Sequence, residues 1–262
     1  MMNYTFCAQT DQGRVRKNME DSVAFDESTR LGVLADGMGG YNAGEVASSM
    51  ATTHIKSEFT QWVSQAGPQV SIGQVRHAVA TCVNSANRAI LDAARSTPCY
   101  SKMGTTLVVG VFLDARLMLG HIGDSRCYRL RGTELLQLTR DHSLLQEKID
   151  AGYLTREQAA TAPNKNLVTR ALGVEETVQL ELNEFGVEAG DIYLMCSDGL
   201  CDMVKDAEIK EILQNPSALA QMATELVARA NSNGGRDNIS VLLTQASSTP
   251  EETSHRRRSC RN

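Results

Sequence analysis

The stretch RLGVLADGMGGYNAGEVASS, residues 30–49, joins a strand-like run to a glycine-rich turn and then to a helix-like segment. The apolar run 31–35 ends at Asp36, and Gly37, Gly39 and Gly40 follow it closely. A carboxylate beside glycine at the end of a strand is typical of a tight turn, a phosphate-binding loop or a metal site. The rest of the chain decides among these three interpretations.

The composition describes an acidic chain that can form a sizeable core. Of its 262 residues 42% are hydrophobic, and the formal net charge is −5 although the chain ends in the arginine-rich SHRRRSCRN. This acidity argues against nucleic-acid binding, which depends on basic surface. The seven cysteines form no C-x-x-C pair, and the sequence shows neither a signal peptide nor a membrane-spanning apolar run. We therefore expect a cytoplasmic protein with reduced thiols.

The order of strand-like and helix-like segments predicts an α+β fold. Helical patterns are found at about 43–65, 72–95, 208–214 and 217–231. Ser71 with Gln74, and Thr155 with Gln158, have the spacing of capping boxes at helix starts. Strand-like runs precede, separate and follow the helices without regular alternation. We therefore expect two antiparallel β-sheets with helices packed outside, and not a doubly wound parallel sheet.

Four segments share one design, in which an apolar run is followed by an aspartate beside glycine or asparagine. They are GVLADGMGG, GHIGDSR, YLMCSDGL and GGRDNIS, which carry Asp36, Asp124, Asp198 and Asp237. The acidic pair Glu20–Asp21 precedes the first strand-like run. Carboxylates that gather at strand ends repel one another unless cations neutralise them, and all-oxygen ligand sets suit Mg²⁺ or Mn²⁺. Two such cations, about 3.5–4 Å apart, would activate a water and hold an oxyanion.

The glycines themselves fit the phosphate-binding alternatives poorly. A Walker loop needs a following G-K-[ST], and a dinucleotide fingerprint needs a third glycine where Asn42 stands. Any single Asp-Gly pair after a strand is ordinarily a turn. Spacing alone therefore leaves a shared metal site and a set of ordinary turns both open. The histidines and cysteines show no zinc-ligand spacing, and only His142, beside Asp141, is left with an open role.

The ordered set of motifs resembles the metal-dependent serine/threonine protein phosphatase family, type 2C (PPM), in its bacterial form. The resemblance spans about 10–244 and rests on DQGRVRKNMEDS, LADGMGG, MGTTL, HIGDSRCYRLR, LTRDHS, NLVTRALG, GDIYLMCSDGL and RDNISVLL. It implies a four-layer α-β-β-α sandwich in a type 2C phosphatase domain over 1–246. A flap at about 142–172 would lie beside the site, and 247–262 would form a flexible basic tail. Two Mn²⁺ or Mg²⁺ ions per chain are implied, with a weaker third.

The resemblance assigns the acidic strand ends to a binuclear metal centre. Asp36 would bridge both ions, and Gly37 would offer its carbonyl oxygen to one of them. Asp198 and Asp237 would complete the first metal site, and Asp124 would help to hold the third ion. The implied reaction is in-line attack on the phosphorus by the water or hydroxide that bridges the metals, without a phosphoenzyme.

The residues around the centre take further roles by the same resemblance. Glu20 and Asp21 match an acidic pair that binds or orients water at the second metal, and Asn238 matches a neighbour of the last ligand. Arg16 matches the arginine that grips the substrate phosphate, for which a planar guanidinium is well suited. Tyr41 stands where bacterial relatives usually have a histidine, which makes it a candidate proton donor to the leaving group.

We therefore predict a protein serine/threonine phosphatase that acts on phosphorylated proteins and opposes a cognate eukaryotic-type Ser/Thr kinase. We expect a monomer with no nucleic-acid partner and no membrane association. The main alternative is a non-catalytic phosphoprotein-binding module on the same fold. A metal-dependent nuclease, which the acidic body opposes, and a nucleotide-binding α/β protein are further rivals.

Overall fold

A computed structural model describes residues 2–39, 43–67, 69–155, 158 and 167–248 of the chain. Its strands are β1 Met2–Asp11, β2 Asp21–Asp26, β3 Leu31–Met38, β4 Gly104–Thr105, β5 Leu107–Leu113, β6 Arg116–Ile122, β7 Arg126–Arg131, β8 Glu134–Gln137, β9 Glu181–Gly186, β10 Ile192–Cys196 and β11 Ile239–Ser248. Its α-helices are α1 Ala43–Ala66, α2 Ile72–Ser96, α3 Leu144–Asp150, α4 Asp198–Cys201, α5 Asp206–Gln214 and α6 Leu219–Ser232. One 3₁₀ turn, Pro98–Tyr100, follows α2.

The strands form two antiparallel sheets, as predicted. The first sheet has the order β1-β11-β10-β7-β8. The second has the order β2-β3-β5-β6-β9, and the short β4 pairs with β3. The chain passes from one sheet to the other several times, for example between β6 and β7. The ends of strands from both sheets therefore meet at the same end of the molecule.

Three apolar cores separate four layers. Helices α1 and α2 pack on the outer face of the second sheet, and α5 and α6 pack on the outer face of the first. Between the sheets lies a third core, which includes Tyr4, Leu34, Phe112, Tyr193 and Leu242. Because each sheet is apolar on both faces, each needs a layer on either side to remove that surface from water. The predicted α-β-β-α sandwich is thus confirmed.

Both predicted capping boxes are formed. At the start of α2 the Gln74 N–H donates to Ser71 Oγ at 3.3 Å, and the Ser71 N–H donates to Gln74 Oε1 at 2.9 Å. Thr155 N–H donates to Gln158 Oε1 at 2.9 Å, and Gln158 N–H donates to Thr155 Oγ1 at 3.2 Å. Each box satisfies backbone N–H groups that have no partner within a helix, which explains why the sequence signal is reliable.

Some elements differ from the prediction. The edge strand β1 was not predicted, because its residues are ordered by pairing with β11 at the other end of the chain. One strand-like run of the sequence, TTLVVGVFL over 105–113, is divided at Thr106, whose hydroxyl is used in the site described below. Helix α5 begins at Asp206, two residues before the predicted start. Helix α6 begins at Leu219, because Ser217 is still in a turn with Asn215.

The last strand extends beyond the predicted end of the phosphatase-like domain. Strand β11 continues through Ser247 and Ser248, past the predicted boundary at 246, because β1 pairs with it as far as Met2. The rest of the predicted tail, 249–262, lies outside the described residues.

Among the helices that the structure describes, none has both the length and the apolar character needed to cross a bilayer.

Candidate metal centre

The alternation of side chains along the strands places the predicted ligands. In β3 Leu34 faces the core between the sheets, and Asp36, two residues later, lies on the same face of the strand. In β2 Val23 packs against that core, and Asp21 shares its face. Asp21 and Asp36 are direct partners across the two antiparallel strands. Two carboxylates therefore meet at one end of the space between the sheets.

Burial and mutual repulsion disfavour the charged forms of these carboxylates. Burial, followed by the charges of Asp21, Asp198 and Asp124, holds the pKa of Asp36 well above its usual range. Burial also raises the pKa of Asp21 to about 6, although Ser197 Oγ donates to its Oδ2 at 2.8 Å. Carboxylates in this setting bind either protons or cations.

The other aspartates at strand ends converge on the same place. Asp198 begins α4 directly after β10, Asp124 follows β6, and Asp237 lies in the loop before β11. Burial, and then the charges of Asp124 and Asp237, raise the pKa of Asp198 well above its usual range. Burial, with a contribution from Asp141, raises the pKa of Asp124 to about 6. The four aspartates singled out in the sequence thus form one electrostatic cluster around Asp36.

Two glycines allow β3, α1 and the loop that carries Glu20 to approach closely. A Cβ on Gly37 would lie 2.1 Å from the Gly44 carbonyl oxygen and 2.6 Å from that of Glu20. The Gly37 N–H donates to the same Glu20 oxygen at 3.0 Å. Burial raises the pKa of the Glu20 carboxyl, with Asp237 adding to the effect. A backbone carbonyl, at Gly37, is therefore brought beside the acidic cluster.

The motif MGTTL, to which the sequence analysis assigned no role, holds the backbone of Asp36. The Asp36 N–H donates to Thr106 Oγ1 at 3.0 Å, and the Thr106 N–H and the Thr105 hydroxyl each donate to the Asp36 carbonyl at 2.9 Å. Thr106 Oγ1 also shares a hydrogen bond of 2.8 Å with the hydroxyl of Ser125, next to Asp124. Both threonines are buried. In the sequence the two threonines belonged to a strand-like run and to a motif of the family resemblance, and neither signal indicated that they hold Asp36.

Asn238 ties the loop that carries Arg16 to the site. Its Nδ2 donates to the Asn18 carbonyl at 2.9 Å, and its Oδ1 accepts the Glu20 N–H at 2.7 Å. Arg16 Nη2 donates to Asp237 Oδ2 at 2.6 Å, while 49% of the Arg16 side chain stays exposed. The predicted phosphate-binding arginine is thus at the mouth of the acidic cluster, and the predicted neighbour Asn238 lies beneath its loop.

Ser197 is a second residue that the sequence analysis missed. It is fully buried between Cys196 and Asp198. Its Oγ donates to Asp21 Oδ2 at 2.8 Å and accepts the Ser240 N–H at 3.0 Å. The hydroxyl therefore links β2 of the second sheet to β10 and β11 of the first. Its only sequence signal is its position beside the aspartate of CSDG.

The donor set fits hard divalent cations. The side-chain donors of the described cluster are carboxylates, and the Gly37 backbone adds a carbonyl, so the available ligand atoms are oxygens. The raised pKa values indicate that this cluster needs added positive charge, which Mg²⁺ or Mn²⁺ would supply. Tyr41, the candidate proton donor, lies outside the described residues.

The four-layer sandwich and its acidic, oxygen-only site together define a metal-dependent enzyme. The family model described as Protein phosphatase 2C matches residues 12–244. The chain is 35% identical over 240 residues to the serine/threonine phosphatase Stp of Listeria monocytogenes, covering 90% of this chain and 94% of the relative. It is 39% identical over 239 residues to the protein phosphatase PhpP of Streptococcus pneumoniae, covering 89% and 94% respectively.

Solved structures agree with the sequence comparisons. The crystal structure of the Mycobacterium tuberculosis serine/threonine phosphatase PstP/Ppp has a TM-score of 0.85 and 39% identity, covering 92% of this chain and 98% of that one. The catalytic domain of PstP in complex with two manganese ions has a TM-score of 0.84 and 38% identity, covering 95% and 100%. This chain belongs to the protein phosphatase 2C family and is a metal-dependent protein serine/threonine phosphatase. The resemblance read from its motifs is confirmed.

Proposed function

We propose that the chain removes phosphate from serine and threonine side chains of proteins at a centre that holds two Mn²⁺ or Mg²⁺ ions. The observation that carries this proposal is the convergence of Asp21, Asp36 and Asp198, buried like charges whose pKa values are all raised. Such an arrangement is costly in the metal-free protein, and bound divalent cations relieve it. The two manganese ions of the PstP catalytic domain support the same number here.

The proposal assigns each side chain of the cluster a place. Asp36 would be shared by both ions. Asp198 and Asp237 would complete the first site, and Glu20–Asp21 would bind or orient water at the second. The Gly37 carbonyl would bind one of the two ions. When bound, the ions would offset the charge of the phosphate and favour ionisation of a water near neutral pH. The hydrogen bonds to the Asp36 backbone would hold the main chain that carries this carboxylate in place during the reaction.

Arg16 binds the substrate phosphate in this proposal. Its guanidinium can donate two parallel hydrogen bonds to phosphate oxygens. Its present partner is Asp237, at 2.6 Å, and the arginine side chain is half exposed. A phosphate dianion carries more charge than a carboxylate, so Arg16 can turn from Asp237 to the substrate and leave Asp237 to a cation. That exchange would couple phosphate binding to metal binding.

Tyr41 is proposed to deliver the proton that the leaving serine or threonine oxygen requires. An alkoxide is a poor leaving group unless it is protonated as the bond to phosphorus breaks. A phenol, with an ordinary pKa of about 10, donates less readily near neutral pH than an imidazolium does. We therefore expect slower turnover than a histidine in this position would support. Water is the alternative donor.

The remaining parts of the proposal concern partners and compartment. A phosphatase of this class needs a kinase that phosphorylates the same side chains, so we include a cognate Ser/Thr kinase and its phosphorylated products. The described cysteines are all free thiols, which suits the reducing cytoplasm. Asp124 would hold a weaker third ion. The chain would act as a monomer.

The test is metal-dependent release of phosphate from phosphothreonine, phosphoserine and phosphotyrosine peptides. We expect Mn²⁺ or Mg²⁺ to support hydrolysis of the first two, and a chelator to abolish it. We expect Asp36→Asn to reduce the rate to background with the fold intact by circular dichroism, because a neutral amide cannot bridge two cations. The matched control is Asp114→Asn, the same change in an exposed turn between β5 and β6.

The outcomes separate this function from its rivals. Hydrolysis by Asp36→Asn at the wild-type rate would refute the proposal. Binding of phosphopeptides without turnover would support the non-catalytic module instead. Metal-dependent cleavage of plasmid DNA would support the nuclease, and tight nucleotide binding without turnover would support the nucleotide-binding protein.

A further inference from the structure

Two described segments of the predicted flap pair with each other beside the Asp124 turn. We define the flap neck as the incoming residues 142–144 and the outgoing residues 167–169 of the predicted flap. The Thr169 N–H donates to the His142 carbonyl at 2.8 Å, and further backbone contacts pair the two segments. His142 is the first residue of the neck and is only 7% exposed. His142 is thus one point where the described part of the predicted flap meets the sandwich, and Leu172, which pairs with Thr105, is another.

On its other side, His142 holds the turn that carries Asp124. The His142 N–H donates to the Gly123 carbonyl at 2.9 Å, and the Gly123 N–H donates back to His142 Nδ1 at 3.2 Å. Gly123 has a φ of +100°, and a Cβ there would lie 2.7 Å from the Thr106 side chain. The backbone and side chain of His142 therefore form two hydrogen bonds with the N–H and the carbonyl of Gly123, the residue just before Asp124.

These contacts determine the tautomer of His142. Because Nδ1 accepts the Gly123 N–H, the proton of the neutral imidazole must lie on Nε2. That nitrogen is 3.4 Å from Glu181 Oε2, which can accept its proton, and 3.4 Å from Arg170 Nη1. Burial, and then the neighbouring His121 and Arg170, lower the pKa of His142 to about 4. The ring is therefore neutral at neutral pH.

The second sheet contributes two side chains that contact the His142 imidazole. His121 in β6 and Glu181 in β9 are cross-strand partners. The His121 ring is buried and stacks on His142, with 4.6 Å between centroids and 13° between planes. His142 thus contacts the second sheet, the Asp124 turn and the outgoing half of the flap neck at once.

The same cluster has the spacing of a metal site, but its hydrogen bonds argue against one. Ligand atoms of His121, His142 and Glu181 lie within 4.8 Å of one another. A histidine that binds metal through Nε2 carries its proton on Nδ1 and donates it, whereas Nδ1 of His142 accepts. His121 Nε2 is 2.8 Å from the Arg140 carbonyl, which can only accept, so this nitrogen carries a proton as well.

We propose that His142 is a positioning residue that holds the flap neck in register with the Asp124 turn and thereby helps to hold a protein substrate beside the metal centre. The proposal rests on the proposed function. A small aryl phosphate occupies only the centre, whereas a phosphopeptide extends beyond it along the surface. Loosening the flap neck should therefore weaken the handling of peptides more than that of the small substrate.

Two substitutions distinguish the role of the His142 Nδ1 atom from that of its Nε2 atom. His142→Asn keeps a carbonyl oxygen close to the position of Nδ1, so it can still accept the Gly123 N–H. His142→Gln moves its polar group outward to the position of Nε2 and loses that acceptor. The matched control is His54→Gln on α1, where the histidine contacts Ser85 of α2 and Glu58 of α1, neither of which belongs to the flap neck.

Steady-state kinetics with a phosphothreonine peptide and with p-nitrophenyl phosphate form the first readout. We expect His142→Gln to raise KM for the peptide about tenfold, as for the loss of one buried hydrogen bond, with little change in kcat. We expect less than about a threefold change with p-nitrophenyl phosphate, and less than about threefold with either substrate for His142→Asn and His54→Gln.

Amide hydrogen exchange in the metal-free protein forms the second readout. We expect exchange at Gly123 and Thr169 to rise about tenfold in His142→Gln and to stay within about threefold of wild type in His142→Asn. Equal losses in the two His142 variants, equal losses with the two substrates, or unchanged exchange at Gly123 in the glutamine variant would each overturn the proposal.

A third measurement needs no variant. Nitrogen-15 chemical shifts of wild-type His142 at neutral pH should report the Nε2–H tautomer, and a proton on Nδ1 would contradict the proposal even if His142→Gln fails to fold. If the wild-type enzyme hydrolyses neither substrate, the proposed function fails. The tautomer and the amide exchange then still decide whether His142 joins the flap to the Asp124 turn.

Discussion

Asp36 owes its chemistry to the place where β3 leaves the apolar core. Leu34, two residues earlier, is buried between the sheets, and the next residue on that face stands opposite Asp21. Hydrogen bonds from Thr105 and Thr106 hold its backbone, so the main chain that carries the carboxylate is fixed beside the neighbouring aspartates. The repulsion between the Asp36 carboxylate and the neighbouring aspartates must be relieved by protons or by cations.

Ser197 provides a test of how strongly its surroundings hold Asp21. In Ser197→Ala, the ionised Asp21 and the buried Ser240 N–H each lose a hydrogen bond. We expect a loss of about 1–3 kcal/mol in the free energy of unfolding, measured by urea denaturation at pH 7.5 with a chelator present. Ser64→Ala on the exposed end of α1 is the control and should change it by less than about 0.5 kcal/mol. Equal values for the two variants would contradict this role.

Tyr41→Phe tests the proposed proton donor. We expect roughly a tenfold loss of kcat with phosphothreonine peptides and a much smaller loss with p-nitrophenyl phosphate, because nitrophenolate leaves without a proton and an alkoxide does not. The measurement is kcat for both substrates at saturating Mn²⁺. An equal loss with the two substrates would show that Tyr41 is not the donor.

The contact between β3 and α1 depends on glycine. Gly37 at the end of the strand and Gly44 in the first turn of the helix lie backbone to backbone, and the Glu20 loop closes the same gap. Strand, helix and loop therefore meet without an intervening side chain. This close approach brings the Gly37 carbonyl and the Glu20 carboxyl to one place.

Gly37→Ala should disrupt this contact. Its Cβ would lie 2.1 Å and 2.6 Å from two carbonyl oxygens of the backbone, which cannot move aside as a flexible side chain can. We expect a loss of roughly 3 kcal/mol or more in the free energy of unfolding, together with loss of Mn²⁺-dependent activity. Gly186→Ala at the end of β9, with open space around its Cβ, is the control. A Gly37→Ala variant as stable as this control would refute the close contact.

The assembled sandwich concentrates like charge at one end, and this gives its stability a pH dependence. The pKa values of Asp21 and Asp124 are raised to about 6, so the folded protein binds protons more tightly there than the unfolded chain. Their stabilising contribution to the free energy of unfolding is fully present below about pH 4, and it is lost as the pH rises through 6. His142, with its pKa lowered to about 4, acts in the opposite direction.

A difference measurement isolates the acidic centre. We expect the rise in thermal unfolding midpoint caused by Mn²⁺, relative to chelator, to grow between about pH 5 and pH 8, because protons compete with the cation for the carboxylates. Titratable groups away from the centre affect the unfolding midpoint equally with and without metal, so their effects cancel in the difference. Asp36→Asn should lose most of this rise. A rise that is the same at all pH values would contradict the predicted competition.

Much of the fold was predictable because it depends on neighbours along the chain. The capping box of Ser71 and Gln74 marks the start of α2, and the predicted ends of α1 and α2 are each within a residue of those observed. The order of strand-like runs and helical segments, without regular alternation, predicted the antiparallel sheets. A charged residue that ends an apolar strand, such as Asp36, was recognisable for the same local reason.

Other features could not be predicted because their partners are distant in the sequence. Ser197 and Asp21 are hydrogen-bonded across 176 positions, and nothing near either residue indicates the contact. Strand β1 is ordered by β11, which lies at the opposite end of the described chain. Thr106 reads as one more strand residue until the strand is seen to break beside Asp36.

The kinds of ligand available for a metal, and their positions at the ends of strands, are local properties that can be read from the order of residues. The raised pKa of Asp36 and the tautomer of His142 are different in kind. Both depend on which groups lie within a few ångströms across two sheets and on how much water reaches them. Only the folded arrangement sets those distances and that burial, because electrostatic and hydrogen-bond energies depend on separation in space and not along the chain.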